Sequence, residues 1–309
     1  MKSKTKPKKI PFFSKKNWIW YSFLIPTIVC LILMTYLPTL TGLKYSFYDV
    51  SVAGYSGDFV GFHNYKVLLM SKGFRKAFLN TIILILMSFS FIPLGYILAY
   101  AINSLGGSKW QGLFRTGFFL PYMVTYVSAV LVFKQVLTSN NGLLNQVLSF
   151  IAGKDVVIGW ISDPAINKIG VTIIYGWQQI GYVMLICLAG LQSISGDILE
   201  AAEVDGANSF QRFFHICTPN MKDSFIFLFI TSCISGFSRF TDLHVISGQS
   251  SSGGQGGVLQ SLMMYIYQYS FDNPDYGISS AGAIIVFLLV FVVTMINLKL
   301  TNFTLIDGE

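Results

Sequence analysis

Charge is scarce in this 309-residue chain: Asp, Glu, Lys and Arg make up 11% of it, against 53% for hydrophobic types. A soluble globular domain carries about a quarter charged residues, so that class is excluded and a chain crossing a membrane several times is expected. Cysteine and histidine are scarce as well. Cys30, Cys187, Cys217 and Cys233 have no close cysteine partner, and His63, His215 and His244 are just as scattered. Neither a disulfide framework nor a zinc site is indicated, and the thiols read as small buried apolar groups. No G-x-x-x-x-G-K-[ST] occurs, so the chain does not hold nucleotide phosphates in the P-loop manner,.

What is there is a row of apolar runs. A helix needs about 20 mostly apolar residues to cross the hydrocarbon core. Runs at 17–43, 77–108, 116–133, 169–196 and 278–298 contain no Asp, Glu, Lys or Arg. A sixth, 224–245, is apolar through Ser238 and then meets Arg239, Asp242 and His244. The expected fold class is therefore all-α, an integral membrane bundle of six transmembrane helices. Pro26, Pro38, Pro93 and Pro121 fall inside spans and are expected to kink them rather than end them,.

Residues 1–16 hold seven Lys and no acid, which keeps the N-terminus in the cytoplasm by the positive-inside rule. The first apolar run is too long for a signal peptide and no small-x-small cleavage site follows it, so it reads as a retained anchor. The domains expected are a basic cytoplasmic segment 1–16, a six-span transmembrane domain 17–304 and a cytoplasmic tail 305–309. An even number of crossings puts the loop 195–223 and both termini inside. Lysines 44, 66, 72 and 76 with Arg75 crowd the first outer loop and weaken the bias. The net charge of +7 then reflects topology and anionic lipid, not nucleic acid,.

One segment breaks the apolar pattern. Glu200, Glu203, Asp205 and Arg212 cannot lie in hydrocarbon, so 195–223 is a loop with its own task. Ser195 or Asp197 is placed to cap a helix from Ile198, and Gly206 to end it in the left-handed conformation. Ser209 is placed to cap a second short helix that Pro219 closes. On it Phe210, Phe213, Phe214 and Cys217 fall at i, i+3, i+4 and i+7, an apolar face on a piece that meets water. Such a face suits a groove in a partner protein. The other reading is a helix lying flat in lipid headgroups, which the acidic first half opposes.

Glu200-Ala201-Ala202, Asp205-Gly206-Ala207, Ile216 and Pro219 resemble the EAA loop of the membrane permeases of binding-protein-dependent ABC importers. Leu120-Pro121, Gly142, Asn145, Tyr265-Ile266-Tyr267, Phe271 and Gly277 extend the resemblance to the carbohydrate branch, the maltose-type first permease. Two departures are Thr218 for the family's usual Leu and SGQSSSGGQGG at 247–257 for its Gly-Gly-Pro; the latter run is expected to be flexible. The resemblance implies a type I importer permease fold and a coupling helix docked on a cytoplasmic ABC ATPase dimer. Glu200 would then pair with a basic residue there, and Phe210, Phe213 and Phe214 would fill the groove. It also implies a second permease subunit, an extracytoplasmic solute-binding protein, no cofactor bound by this chain, and ATP and Mg used by the partner.

A solute path is expected near the midplane, lined by polar and aromatic residues that lipid would reject. Tyr175, Gln178 and Tyr182 form one stripe, and Phe237, Arg239 and Phe240 lie past the centre of the sixth run. Aromatic faces beside amide and guanidinium donors suit a sugar. The plainer readings are interhelical hydrogen bonding for the stripe and a self-neutralising pair for Arg239 with Asp242. Glycerol phosphate or a polyol are alternative solutes. An ion-coupled carrier is disfavoured, since Asp242 is the lone candidate coupling acid and internal repeats are missing. An intramembrane enzyme is disfavoured because Asp242 and His244, two apart, face different ways.

Overall fold

The computed structural model describes residues 18–51 and 57–300; the expected segments 1–16 and 305–309 lie outside the described residues. Within these the chain is helical, in line with the expected class. Helix α1 (Trp18–Leu31), with Pro26 inside it, passes through a wide π turn, Ile32–Tyr36, into α2 (Leu37–Tyr45). The wide turn accommodates the ring of Pro38 without ending the helix. This arm is apolar all round and its most apolar stretch is uncovered by the rest of the chain, as a face meeting lipid or another subunit would be.

After α3 (His63–Met70), the second apolar run forms α4 (Lys72–Ser88) and α5 (Phe91–Asn103). The helix starts earlier than expected, because the Ser71 hydroxyl caps it at the Phe74 amide, with Lys72 and Arg75 in its first turn and Lys76 just after it,. The third run is broken. Helix α6 (Lys109–Phe119), a tight turn Leu120–Met123 and α7 (Tyr126–Val136) meet at 96°. Pro121 therefore marks an end and not a kink: it lacks an N–H, the turn tightens around it, and Thr125 caps the new helix at Ser128,.

A short amphipathic helix α8 (Leu143–Ala152) precedes α9 (Asn167–Gln192), the most enclosed of the long helices. Glycines permit this position. A Cβ at Gly176 would overlap the Phe91 ring of α5, and one at Gly181 would overlap the Phe118 carbonyl of α6, so backbones approach closely along α9. The charged loop follows as α10 (Gly196–Val204), α11 (Ser209–Gln211), a π turn Arg212–Cys217 and α12 (Thr218–Asn220). The sixth run splits into α13 (Lys222–Phe237) and α14 (Thr241–Ile246). Helix α15 (Leu262–Tyr267) and α16 (Tyr276–Leu300) complete the chain.

Four helical stretches are long and apolar enough to span a bilayer, and a fifth is reached if the bent α6–α7 pair counts as one. The expected six requires α13 and α14 to be taken together, although α13 alone has 16 residues. Three buried clusters hold the bundle: α5 with α9 and the charged loop, α4 with α15 and α16, and α7 with α9 and α14. The run 247–257 differs from expectation. Its carbonyls at Gly256 and Gly257 accept from Lys76 and Asn80, Ser251 donates to Asp272, and Gln260 donates to the Ser251 carbonyl. A Ser/Gly/Gln composition alone suggests freedom, but here polar side chains of α4 and the following segment fix the backbone.

Candidate functional site

The charged loop is built around one hinge. The Ala207 amide bonds the Ala202 carbonyl and the Gly206 amide bonds that of Glu203, the paired closure that ends a helix with a left-handed residue. Gly206 supplies it at φ +81°. The second helix is capped by Asn208 rather than Ser209. The Asn208 side chain accepts from the Gln211 amide at 2.9 Å, and the Gln211 side chain accepts from the Asn208 amide at 2.9 Å, a reciprocal box. Ser195 occupies the position before α10 without a side-chain cap. Pro219 does not close the second helix, since it lies in the first turn of α12, where its missing N–H is tolerated,. An Arg212–Glu203 ion pair at 3.2 Å straps the two arms together.

The four apolar residues of the second helix do not share one outward face. The wide turn over Arg212–Cys217 rotates them apart. Phe213 stacks on Tyr96 at 4.6 Å and meets Tyr100 edge-on at 4.8 Å, and Cys217 is buried against α5 and α9. Phe210 and Phe214 stay outside, 70% and 48% exposed and 4.6 Å apart. Of the residues expected to meet a partner, Glu200, Ala201, Asp205, Gly206 and Pro219 are exposed, Ala207 and Ile216 half-buried, and Ala202 buried. Burial pushes the Cys217 thiol above its ordinary pKa, with Arg212 pulling weakly the other way.

The second region is where the two broken spans meet α9. A cavity of about 480 Å³ is lined by Tyr122, Val124, Tyr126, Tyr175, Gln178, Gln179, Arg239, Phe240 and Asp242 among others. A smaller one of about 250 Å³ adjoins it, sharing Tyr122, Tyr175 and Gln179 and adding Tyr182. Interrupted backbone inside a bilayer is tolerated only where it lines a cavity or finds other partners. Both breaks meet that demand. The Val124 carbonyl accepts from Gln178 at 2.7 Å, and the Arg239 carbonyl accepts from Ser261 at 2.7 Å.

Arg239 is almost fully buried. Its Nε donates to Asp242 Oδ2 at 2.7 Å, one terminal nitrogen lies 2.5 Å from the same oxygen and 3.0 Å from the Val171 carbonyl, and the guanidinium sits 4.5 Å over the Tyr175 ring. That face of Tyr175 is thus already taken. Tyr182 stacks on Tyr122 at 5.2 Å, and Gln179 donates to the Tyr126 hydroxyl at 2.5 Å. Phe237 points elsewhere: it is buried in the α4–α16 cluster and lines neither cavity. Tyr122, Tyr126, Gln179 and Asp242 line the larger cavity and were missed as lining residues. The available signal was Pro121 inside an apolar run with tyrosines on its far side, since an interrupted span marks a site.

The family model for the "binding-protein-dependent transport system inner membrane component" matches residues 68–301. The multiple sugar-binding transport system permease protein MsmF of Streptococcus mutans is 32% identical over 288 residues, covering 93% of this chain and 96% of that protein. The maltose/maltodextrin transport system permease protein MalF of Yersinia pestis is 29% identical over 252 residues, 78% of this chain and 47% of that protein. Among solved structures, a bacterial alginate ABC transporter in complex with an alginate pentasaccharide-bound periplasmic protein has a chain that superposes with a TM-score of 0.76. It is 24% identical over 93% of this chain and 95% of that one.

Proposed function

The chain belongs to the family of binding-protein-dependent transport system inner membrane components, and we propose that it forms half of the transmembrane path of a sugar importer. It is a membrane permease of an ABC transporter, and a sugar is the solute that its relatives' names support. ATP is bound and hydrolysed in a separate cytoplasmic ATPase dimer, with Mg, and this chain binds no cofactor. A second permease subunit completes the path, and an extracytoplasmic binding protein delivers the solute. Both termini and the 195–223 loop face the cytoplasm.

The observation that carries the reading is the exposed pair Phe210 and Phe214 on a loop whose hinge, cap and ion pair fix their position. Two rings held outside a membrane protein's aqueous loop are costly unless a partner covers them. The ATPase cleft is that partner, with Glu200 toward a basic residue of it. ATP-driven closure of the ATPases moves the loop, and the bundle switches between inward- and outward-facing states around the cavity. Phe210→Ala with Phe214→Ala should leave the permease in the membrane but abolish co-purification of the ATPase subunit and sugar uptake. Full uptake in the double variant would overturn the docking assignment.

A further inference from the structure

We propose that the cavity beside α9 selects uncharged polyhydroxylated solutes over anionic ones, because its one cation is cancelled within its own wall. The inference rests on reading that cavity as a solute station.

Charge is the first support. Arg239 and Asp242 have side chains 5% and 3% exposed and are joined at 2.5 Å, and no other Lys, Arg, Asp or Glu lines the cavity among the described residues. The wall is therefore neutral in sum. An anion entering such a space sheds hydration without gaining a free counter-charge. A neutral solute loses only hydrogen bonds.

The polarity of the unused groups is the second. Two buried atoms of lining residues have no partner among the described residues, Nη1 of Arg239 and Oε1 of Gln178. The first is a donor and the second an acceptor. The two together call for groups that both give and take a hydrogen bond, as a sugar hydroxyl does. A carboxylate or phosphate dianion answers Arg239 alone and leaves Gln178 Oε1 facing another acceptor. The remaining wall sets the rings of Tyr122, Tyr126 and Phe240 beside the hydroxyls of Ser235, Ser238 and Thr241, and the volume of about 480 Å³ suits a small-molecule site.

The test uses Thr241→Cys, a cavity-lining position, with Cys30→Ser to remove the exposed native thiol. Membrane vesicles carrying the whole importer, free of binding protein, are alkylated with a maleimide in the presence of maltotriose, arabinotriose or trigalacturonate. The neutral sugars should slow modification roughly tenfold more than the uronate. Adding Asp242→Asn frees the Arg239 charge and should reverse the order. Adding both Arg239→Gln and Asp242→Asn, which keeps the wall neutral, should preserve the neutral preference. Equal protection by neutral and acidic sugars would overturn the selection rule while leaving the solute station standing. Protection by none of the three would overturn the station and the rule with it.

Discussion

At the scale of single residues, Gly206 is the position where the loop depends on backbone alone. An added Cβ there meets nothing within 4 Å, yet φ is +81°, so a β-branched side chain is opposed purely by conformation, at about 1–3 kcal/mol. Gly206→Val should reduce ATPase co-purification and uptake while the permease still inserts, and Gly206→Asn, which tolerates that region better, should lose less. Normal uptake with valine would show that the hinge does not set the docking geometry. Cys217 offers an independent check on the same loop. Its thiol is buried and raised in pKa, so less of it is thiolate at neutral pH. Maleimide should modify it far more slowly than a cysteine placed at the exposed Asn208, and the Cys217 rate should keep rising above the ordinary thiol range. Gly206 was legible in the sequence because a helix end needs it; the Asn208 cap was not, since Asn208 and Ser209 are adjacent and equally competent.

At the scale of elements, apolar run length located every long helix, because crossing hydrocarbon requires it and little else in the chain competes. What run length hid were the breaks. Nothing in the hydropathy of 116–133 distinguishes a straight span from one turned through 96°, and the distinction lies in Gln178 being able to satisfy Val124 from a different helix. The same holds for the second arm of the charged loop, where a 3.6-residue period put Phe210, Phe213, Phe214 and Cys217 together and the wide turn at Arg212–Cys217 divided them. The division makes an experimental contrast. Phe213 contributes three ring pairs, with Tyr96, Tyr100 and Phe214, each worth about 0.5–1.5 kcal/mol beyond area burial. Phe213→Ala should therefore lower the thermal stability of the detergent-solubilised permease, whereas Phe214→Ala, at a half-exposed ring with pairs only to Phe210 and Phe213, should cost less stability and weaken ATPase association. Equal stability losses in the two would mean that both rings pack inward.

At the scale of the whole molecule, the proposed orientation is testable through the loops at the two ends of α9. That helix has 26 residues, about 39 Å at 1.5 Å per residue, more than the roughly 30 Å hydrocarbon core. Its first turns pack on the segment around Trp160, which donates to Asn145 at 2.8 Å, so the 137–160 region lies at one end. The charged loop leaves from the other end, after Gln192. A crossing α9 puts the two regions on opposite sides, and the orientation proposed above, from the seven lysines of residues 1–16, the positive-inside rule and six crossings, has the charged loop in the cytoplasm. A cysteine at exposed Asn208 should then resist a membrane-impermeant thiol reagent in cells with an opened outer layer and intact inner membrane, and react after permeabilisation. A cysteine at exposed Asn140 should react before permeabilisation. The pair is informative because the orientation cannot be inverted for one site alone: the reversed pattern would place the loop outside and remove the ATPase from reach, and labelling of both in sealed cells would mean that α9 does not cross.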